Sequence, residues 1–117
     1  MDKPVHTCSR CTVRFKAFGV QPDGQGGYLC GACAWADARA RMLRPDWAPS
    51  FSASRGMLYT NVRYPSGASG CVAKVADGWM IACDERPRAV TYRGRVSAAR
   101  AERELVLAMD SPKVELA

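Results

Sequence analysis

Cys8-Ser-Arg-Cys11, then eighteen residues, then Cys30-Gly-Ala-Cys33: these two tight pairs decide how the first half of the chain folds. A two-residue gap lets both sulfurs of a turn point at one centre. Two such turns supply a tetrahedral shell of four sulfurs for Zn²⁺ at about 2.3 Å per ligand. The intervening segment is long enough for a hairpin that returns the chain to the first pair. Zinc held by Cys8, Cys11, Cys30 and Cys33 is the reading this spacing favours, with iron in a rubredoxin-like site or two disulfides as alternatives. Disulfides fit poorly, because a pair within one turn is strained and no secretion signal is evident. Four thiolates close the coordination sphere and leave no position for a substrate or an activated water, so a structural metal is expected. Residues 1–50 hold too few large apolar side chains for a core of their own. Metal binding worth ~10–16 kcal/mol offsets that deficit.

Working outward from the cysteines, Val13 and Phe15 alternate, and the glycine-rich Gln21-Pro-Asp-Gly-Gln-Gly-Gly27 precedes Tyr28-Leu29. This predicts one hairpin over residues 12–29 with a long flexible tip, its positive-φ positions supplied by Asp23-Gly24 and Gly26-Gly27. No Lys-Ser/Thr follows the glycines, so the tip is not a phosphate-binding loop. His6, the single histidine, reads as an exposed N-terminal residue, the alternative being that it replaces a knuckle cysteine. After Cys30, dense alanine and the closing Pro45 predict a helix through Arg44. Ala32, Trp35, Ala36, Arg39 and Leu43 are expected to pack on the metal hairpin, with Ala34, Asp37, Arg41 and Arg44 on another face.

The sequence divides by composition into a four-cysteine module over 1–46, a linker over 47–56, a β-meander plus helix over 57–110 and a flexible tail over 111–117. Trp47 and Phe51 suggest that the linker packs across the two halves. Four strands are predicted at Met57–Tyr64, Cys71–Ala76, Trp79–Asp84 and Ala89–Tyr92. An Asp77-Gly78 turn would set Ala76 opposite Trp79 and place Cys71 and Cys83 on opposite faces of the sheet, as free, half-buried thiols. Ser97 is expected to cap a helix through about Met109, burying Ala98, Ala101, Leu105, Ala108 and Met109 and leaving Arg100, Arg103 and Glu104 outside. The fold class expected is α+β: a small zinc-stabilised module packed with an antiparallel meander and a C-terminal helix.

The order of knuckle, hairpin and second knuckle at a helix N-terminus resembles the treble-clef zinc fold. Within it, Leu29-Cys30-Gly31-Ala32-Cys33 followed by a helix resembles the GATA-type finger, over residues 8–44. The resemblance implies Cys8, Cys11, Cys30 and Cys33 as zinc ligands and a helix that enters a DNA major groove. Residues 57–109 resemble small modules of bacteria and phages.

The chain has 117 residues, of which 48% are apolar and 24% charged, the size and balance of one small globular unit. Nothing approaches ~18 consecutive apolar residues, and Met1–Cys8 has no apolar stretch of the secretory kind, so a cytoplasmic protein without a membrane span is expected. Catalysis and a small-molecule substrate are not expected, with one histidine, a closed metal shell and no constellation of paired carboxylates. Lys and Arg number 17 against 11 Asp and Glu, a net charge of +6, and thirteen of the cations are Arg. Arg suits planar, bidentate contact with phosphate, so DNA or RNA is the expected partner of a small regulator. The residues expected to carry it are Arg10, Arg14 and Lys16 on the knuckle and hairpin, and Arg39, Arg41 and Arg44 on the first helix. Arg86, Arg88, Arg93 and Arg95 join them around the last strand. Tyr59, Tyr64 and Tyr92 are read as core rather than as base-stacking rings. The alternative is a protein-binding adapter or inhibitor, of bacterial or phage type, acting on a larger nucleic-acid-processing machine.

Overall fold

The computed structural model describes residues 2–83 and 90–117. Around the cysteines the strands are very short. β1 (Val5–Thr7) and β2 (Arg14–Lys16) pair antiparallel with His6 opposite Phe15, and β3 (Gln21–Pro22) pairs with β4 (Tyr28–Leu29). The single hairpin expected over 12–29 is therefore two hairpins. β2 takes its partner from residues 5–7, where three residues give too little alternation to be read as a strand. His6 is correspondingly not an exposed terminal residue. It lies half-buried in β1, meets Phe15 in a tilted contact and Tyr28 edge-on, with ring centroids 5.6 and 5.9 Å away, and its Nε2 lies 3.3 Å from the Ala17 carbonyl oxygen.

Helix α1 (Gly31–Met42) follows directly. Its buried residues are Trp35, Ala38 and Met42, an i, i+3, i+7 stripe. The face expected to pack was rotated from this one: Ala36, Arg39 and Leu43 are exposed. Alanine at every second position from 32 to 40 offers no hydrophobic contrast, so the neighbours of Trp35 decide the face. Those neighbours come from both halves of the chain, since Trp35, Ala38 and Met42 form one cluster with Val62, Tyr64 and Val106. A second cluster, Cys8, Phe15, Leu29 and Cys30, lies beneath the short hairpins.

The second half is a four-stranded antiparallel meander in the order β5 (Ser52–Ser54), β6 (Met57–Arg63), β7 (Ser69–Val75) and β8 (Gly78–Ile81), packed against α2 (Arg95–Leu107). Part of the expected linker is thus an edge strand. Arg55 and Gly56 both take positive φ, 53° and 79°, so Ser54 meets Met57 across a two-residue turn of the kind that matches strand twist. The rest of the linker is tied down by Asn61, whose side chain donates to the Ala48 carbonyl at 2.7 Å and accepts from the Ser50 amide at 3.3 Å. Trp47 packs against the shared core, its ring under the guanidinium of Arg103 at 4.8 Å.

The β7–β8 register also differs from expectation. Val75 faces Gly78 and Lys74 faces Trp79, so Ala76-Asp77 form the turn, one residue earlier than an Asp-Gly turn, and the partner of Trp79 moves by two residues, from Ala76 to Lys74. Gly78 takes φ 139°, and a Cβ there would collide with the Tyr92 carbonyl oxygen, which accepts the Trp79 amide at 2.8 Å. Tyr92 thus bridges Trp79 antiparallel, but the fourth strand expected over Ala89–Tyr92 is reduced to this one bridge: Val90 and Thr91 are not in a strand, and Ala89 lies outside the described residues. Cys71 and Cys83 are not free thiols but a disulfide, with Cα atoms 5.1 Å apart. The opposite-face argument assumed a strand running through residue 83. β8 ends at Ile81, and beyond the Ala82 amide, which donates to the Cys71 carbonyl, the chain bends and frees Cys83 from that alternation.

In α2 the cap is Gly94 rather than Ser97, and the buried residues are Ala98, Ala99, Glu102 and Val106. Ala108 is exposed, and Arg103, expected outside, is partly buried with its Nε donating to the Met42 carbonyl at 2.6 Å. Glu102, fully buried, accepts from the Tyr64 hydroxyl at 2.6 Å and from Thr60 Oγ1 at 3.3 Å. Gly70 makes room for this carboxylate, since a Cβ there would strike Glu102 Oε1. The tail does not fray. Leu116 bridges Phe15 antiparallel, the Lys16 amide donates to the Glu115 carbonyl at 2.8 Å and the Ala117 amide to that of Arg14 at 3.1 Å, which extends the β1–β2 sheet.

Candidate metal centre

The first cysteine pair sits in the turn between β1 and β2. The Cys8 carbonyl accepts the Thr12 amide at 3.0 Å, and the Cys8 amide donates to the Val13 carbonyl at 2.9 Å, closing the loop. Thr12 takes φ 64°, a left-handed conformation that a β-branched residue adopts only where its surroundings impose it. The second pair opens α1: Cys30 is the N-cap and Cys33 lies in the first turn. No acidic residue occupies that turn, and both sulfurs belong to residues at the amide end of the helix, where its dipole favours negative charge. The two pairs are brought together because Cys8 bridges Tyr28 in parallel and the Ser9 amide donates to the Tyr28 carbonyl at 2.9 Å, two residues before Cys30.

The four sulfurs lie within 4.8 Å of one another, and Cys11 Sγ is 3.8 Å from Cys30 Sγ. A tetrahedron of sulfurs about 2.3 Å from a central Zn²⁺ has edges of about 3.8 Å, so the donor set fits a single ion. None of the four is disulfide-bonded, and His6 is not in the group. The electrostatics agree with the geometry. Burial opposes charge on Cys8, yet the backbone amides of Cys11, Cys30 and Arg10 outweigh it and its pKa falls from 9.0 to about 6. Cys33 is driven to about 12, by burial first and then by the neighbouring thiols of Cys30, Cys8 and Cys11; burial also raises Cys30. Charge is thus favoured at Cys8 and resisted at Cys30 and Cys33, and a dication among these sulfurs would relieve that resistance. This is a four-cysteine group able to hold a metal ion, on two hairpins and a helix, consistent with a zinc-finger-like module.

The glycine-rich tip is organised around Asp23 rather than flexible. Asp23 Oδ1 accepts the amides of Gln25 and Gly27 at 2.7 and 2.9 Å, and Oδ2 accepts Ser9 Oγ at 2.6 Å, which ties the tip to the first knuckle. These bonds, that of Ser9 foremost, hold the Asp23 carboxyl below the ordinary range. The Asp-Gly step marked the turn, but nothing in the sequence linked it to Ser9.

The cations singled out by sequence fall on several surfaces. Arg10 forms a two-pronged pair with Asp37 of α1 at 2.5 and 3.0 Å, clamping the knuckle to the helix. Arg14 and Lys16 are exposed on either side of buried Phe15. Arg39, Arg41 and Arg44 are exposed on α1 and just beyond it, Arg44 pairing with Asp46 at 3.1 Å. Arg93 and Arg95 are exposed at the start of α2, with Arg95 over the Phe51 ring at 4.8 Å, while Arg86 and Arg88 lie outside the described residues. Tyr64 is buried and Tyr59 and Tyr92 are partly so. No family model, curated protein or solved structure matches this chain, and its function is therefore read from its own residues.

Proposed function

We propose that this is a small, non-catalytic, zinc-stabilised regulator that binds nucleic acid through the outer face of α1. The observation that carries the reading is the division of labour along that helix. Its first turn supplies Cys30 and Cys33, its inner stripe of Trp35, Ala38 and Met42 is locked in the core, and Arg39, Arg41 and Arg44 remain exposed at its far end. A helix fixed at both its start and its inner face holds cations in register for phosphates without ordering them at the moment of binding. Basic residues near the helix C-terminus also offset its dipole, which by itself accounts for their stability but not for three of them standing within six positions.

The test is a titration of duplex DNA and single-stranded RNA across salt concentrations. Replacing Arg39, Arg41 and Arg44 together by Ala should weaken binding to all sequences and reduce the steepness of log K against log salt, for three lost phosphate contacts, by about 2.7 on duplex DNA and about 2.1 on single-stranded RNA. Alanine preserves the helix. Absence of binding to any DNA or RNA at low salt would overturn the reading in favour of the protein-binding adapter.

A further inference from the structure

A groove of about 650 Å³ runs between the metal-binding half and the meander, walled by β2 to β4, α1, the turn between β6 and β7 and residues 112–115. Its surface includes the aliphatic side chains of Val20, Ala34, Pro65 and Val114, and four cations stand along it: Lys16, Arg41, Arg63 and Lys113. Two carboxylates share the lining, Asp37 and Glu115. Each is already satisfied by a cation outside the groove, Asp37 by Arg10 and Glu115 by Lys3 at 2.7 Å. Among the described residues Lys16, Arg41 and Lys113 form no ion pair, and Arg63 donates only to the Gly67 carbonyl at 2.8 Å. Arg41 also acts on Asp37 and Lys16 on Glu115 through space, so the groove combines an aliphatic surface with a net excess of positive charge, four cations against two carboxylates that already hold Arg10 and Lys3.

The occupant follows from which side chains are withheld. The three aromatic rings in the lining, Phe15, Trp35 and Tyr64, are only 3%, 5% and 6% exposed and present no face on which a base could stack. A single nucleic-acid strand would bind through phosphates alone there, leaving the aliphatic surface unused. An extended peptide uses both: its carboxylates meet the cations while alternate side chains lie on the apolar wall. We propose that this groove docks an extended acidic segment of a partner protein, its carboxylates paired with Lys16, Arg41, Arg63 and Lys113. The site is separate from the metal centre. It adjoins the nucleic-acid face proposed above at Arg41, whereas Arg39 and Arg44 do not line it.

The probe is a fluorescent decapeptide alternating glutamate and leucine, titrated by anisotropy into the full metal-loaded chain. Saturable binding is expected, and the same peptide with glutamine for glutamate should bind at least tenfold more weakly. Arg63→Glu combined with Lys113→Glu should weaken the glutamate peptide about tenfold, since two exposed ion pairs become like-charge contacts. Gly19→Trp provides an independent block: Gly19 lines the groove, a Cβ there meets nothing within 4 Å, and the backbone is not left-handed. It should abolish peptide binding while metal content, melting temperature and DNA affinity stay at wild-type values. The proposal is overturned by absence of saturable peptide binding, by equal affinity for the glutamine peptide, or by unchanged affinity in both variants. It is equally overturned if Gly19→Trp abolishes binding of an oligothymidylate probe, which would give the groove to nucleic acid. Failure of DNA binding in the wild-type protein leaves the peptide titrations and their outcomes unaffected, so the two readings fail separately.

Discussion

The two halves of this chain reach stability by different routes. Around the cysteines, strands are two or three residues long, and the buried cluster is Cys8, Phe15, Leu29 and Cys30. Half of that cluster is candidate metal ligand. In the meander, β6 and β7 are seven residues each, and Val62, Cys71, Val72, Ile81 and Val106 are almost completely withdrawn from solvent. The first half concentrates its stability at one point, while the second spreads it over an apolar layer plus one buried carboxylate with its hydroxyl partners. Helix α1 belongs to both, which makes the contrast testable.

The largest effect should come from the point-like half. Chelating the metal, or Cys30→Ser, removes an interaction of ~10–16 kcal/mol, and the β1–β4 region should lose its amide dispersion in NMR spectra while β6 to β8 keep theirs. Metal analysis of reduced, freshly purified protein should find one equivalent of zinc; finding none would break the comparison outright. Next, Trp35→Ala should cost about 3–5 kcal/mol and, unlike a change confined to one half, should lower hydrogen-exchange protection on both sides of α1. Protection lost only near the cysteines would mean that the shared core does not couple the halves.

The smallest effect sharpens the contrast. Cys83→Ser should leave zinc content unchanged and lower the stability of the meander by up to about 3 kcal/mol, the loop-closure term for a disulfide spanning this short hairpin. Loss of metal from that variant would show that the cysteine sets are not independent.

Sequence reasoning reached the four-cysteine group able to hold a metal ion because ligand spacing is a local signal: Cys8, Cys11, Cys30 and Cys33 need only two turns and a return path. It reached the existence of both helices and three strands of the meander for similar reasons. What it missed depended on distant neighbours. The inner face of α1 is decided by Val62 and Val106, which no alternation within an alanine-rich segment reveals. Glu102 is absent from the buried stripe expected on α2, because its place there depends on Tyr64, Thr60 and the space at Gly70 being brought opposite it. β5, Ser52–Ser54, lacks any strand-forming side chain and exists because β6 offers it an edge. The Cys71–Cys83 bond escaped because alternation predicts faces only while a strand lasts.

The strap formed by residues 114–117 along β2 has a consequence for how the protein is made. Phe15 and Leu116 are neighbours in space although almost the whole chain separates them. During synthesis the cysteine turns and α1 emerge early, while the outer edge of their sheet stays open until residue 116 has left the ribosome. Closing so long a loop is entropically expensive and slow, so an unstrapped intermediate should precede the native state. In that interval β2 presents an unpaired edge between Arg14 and Lys16, and exposed charges of this kind disfavour pairing of such an edge with a second chain.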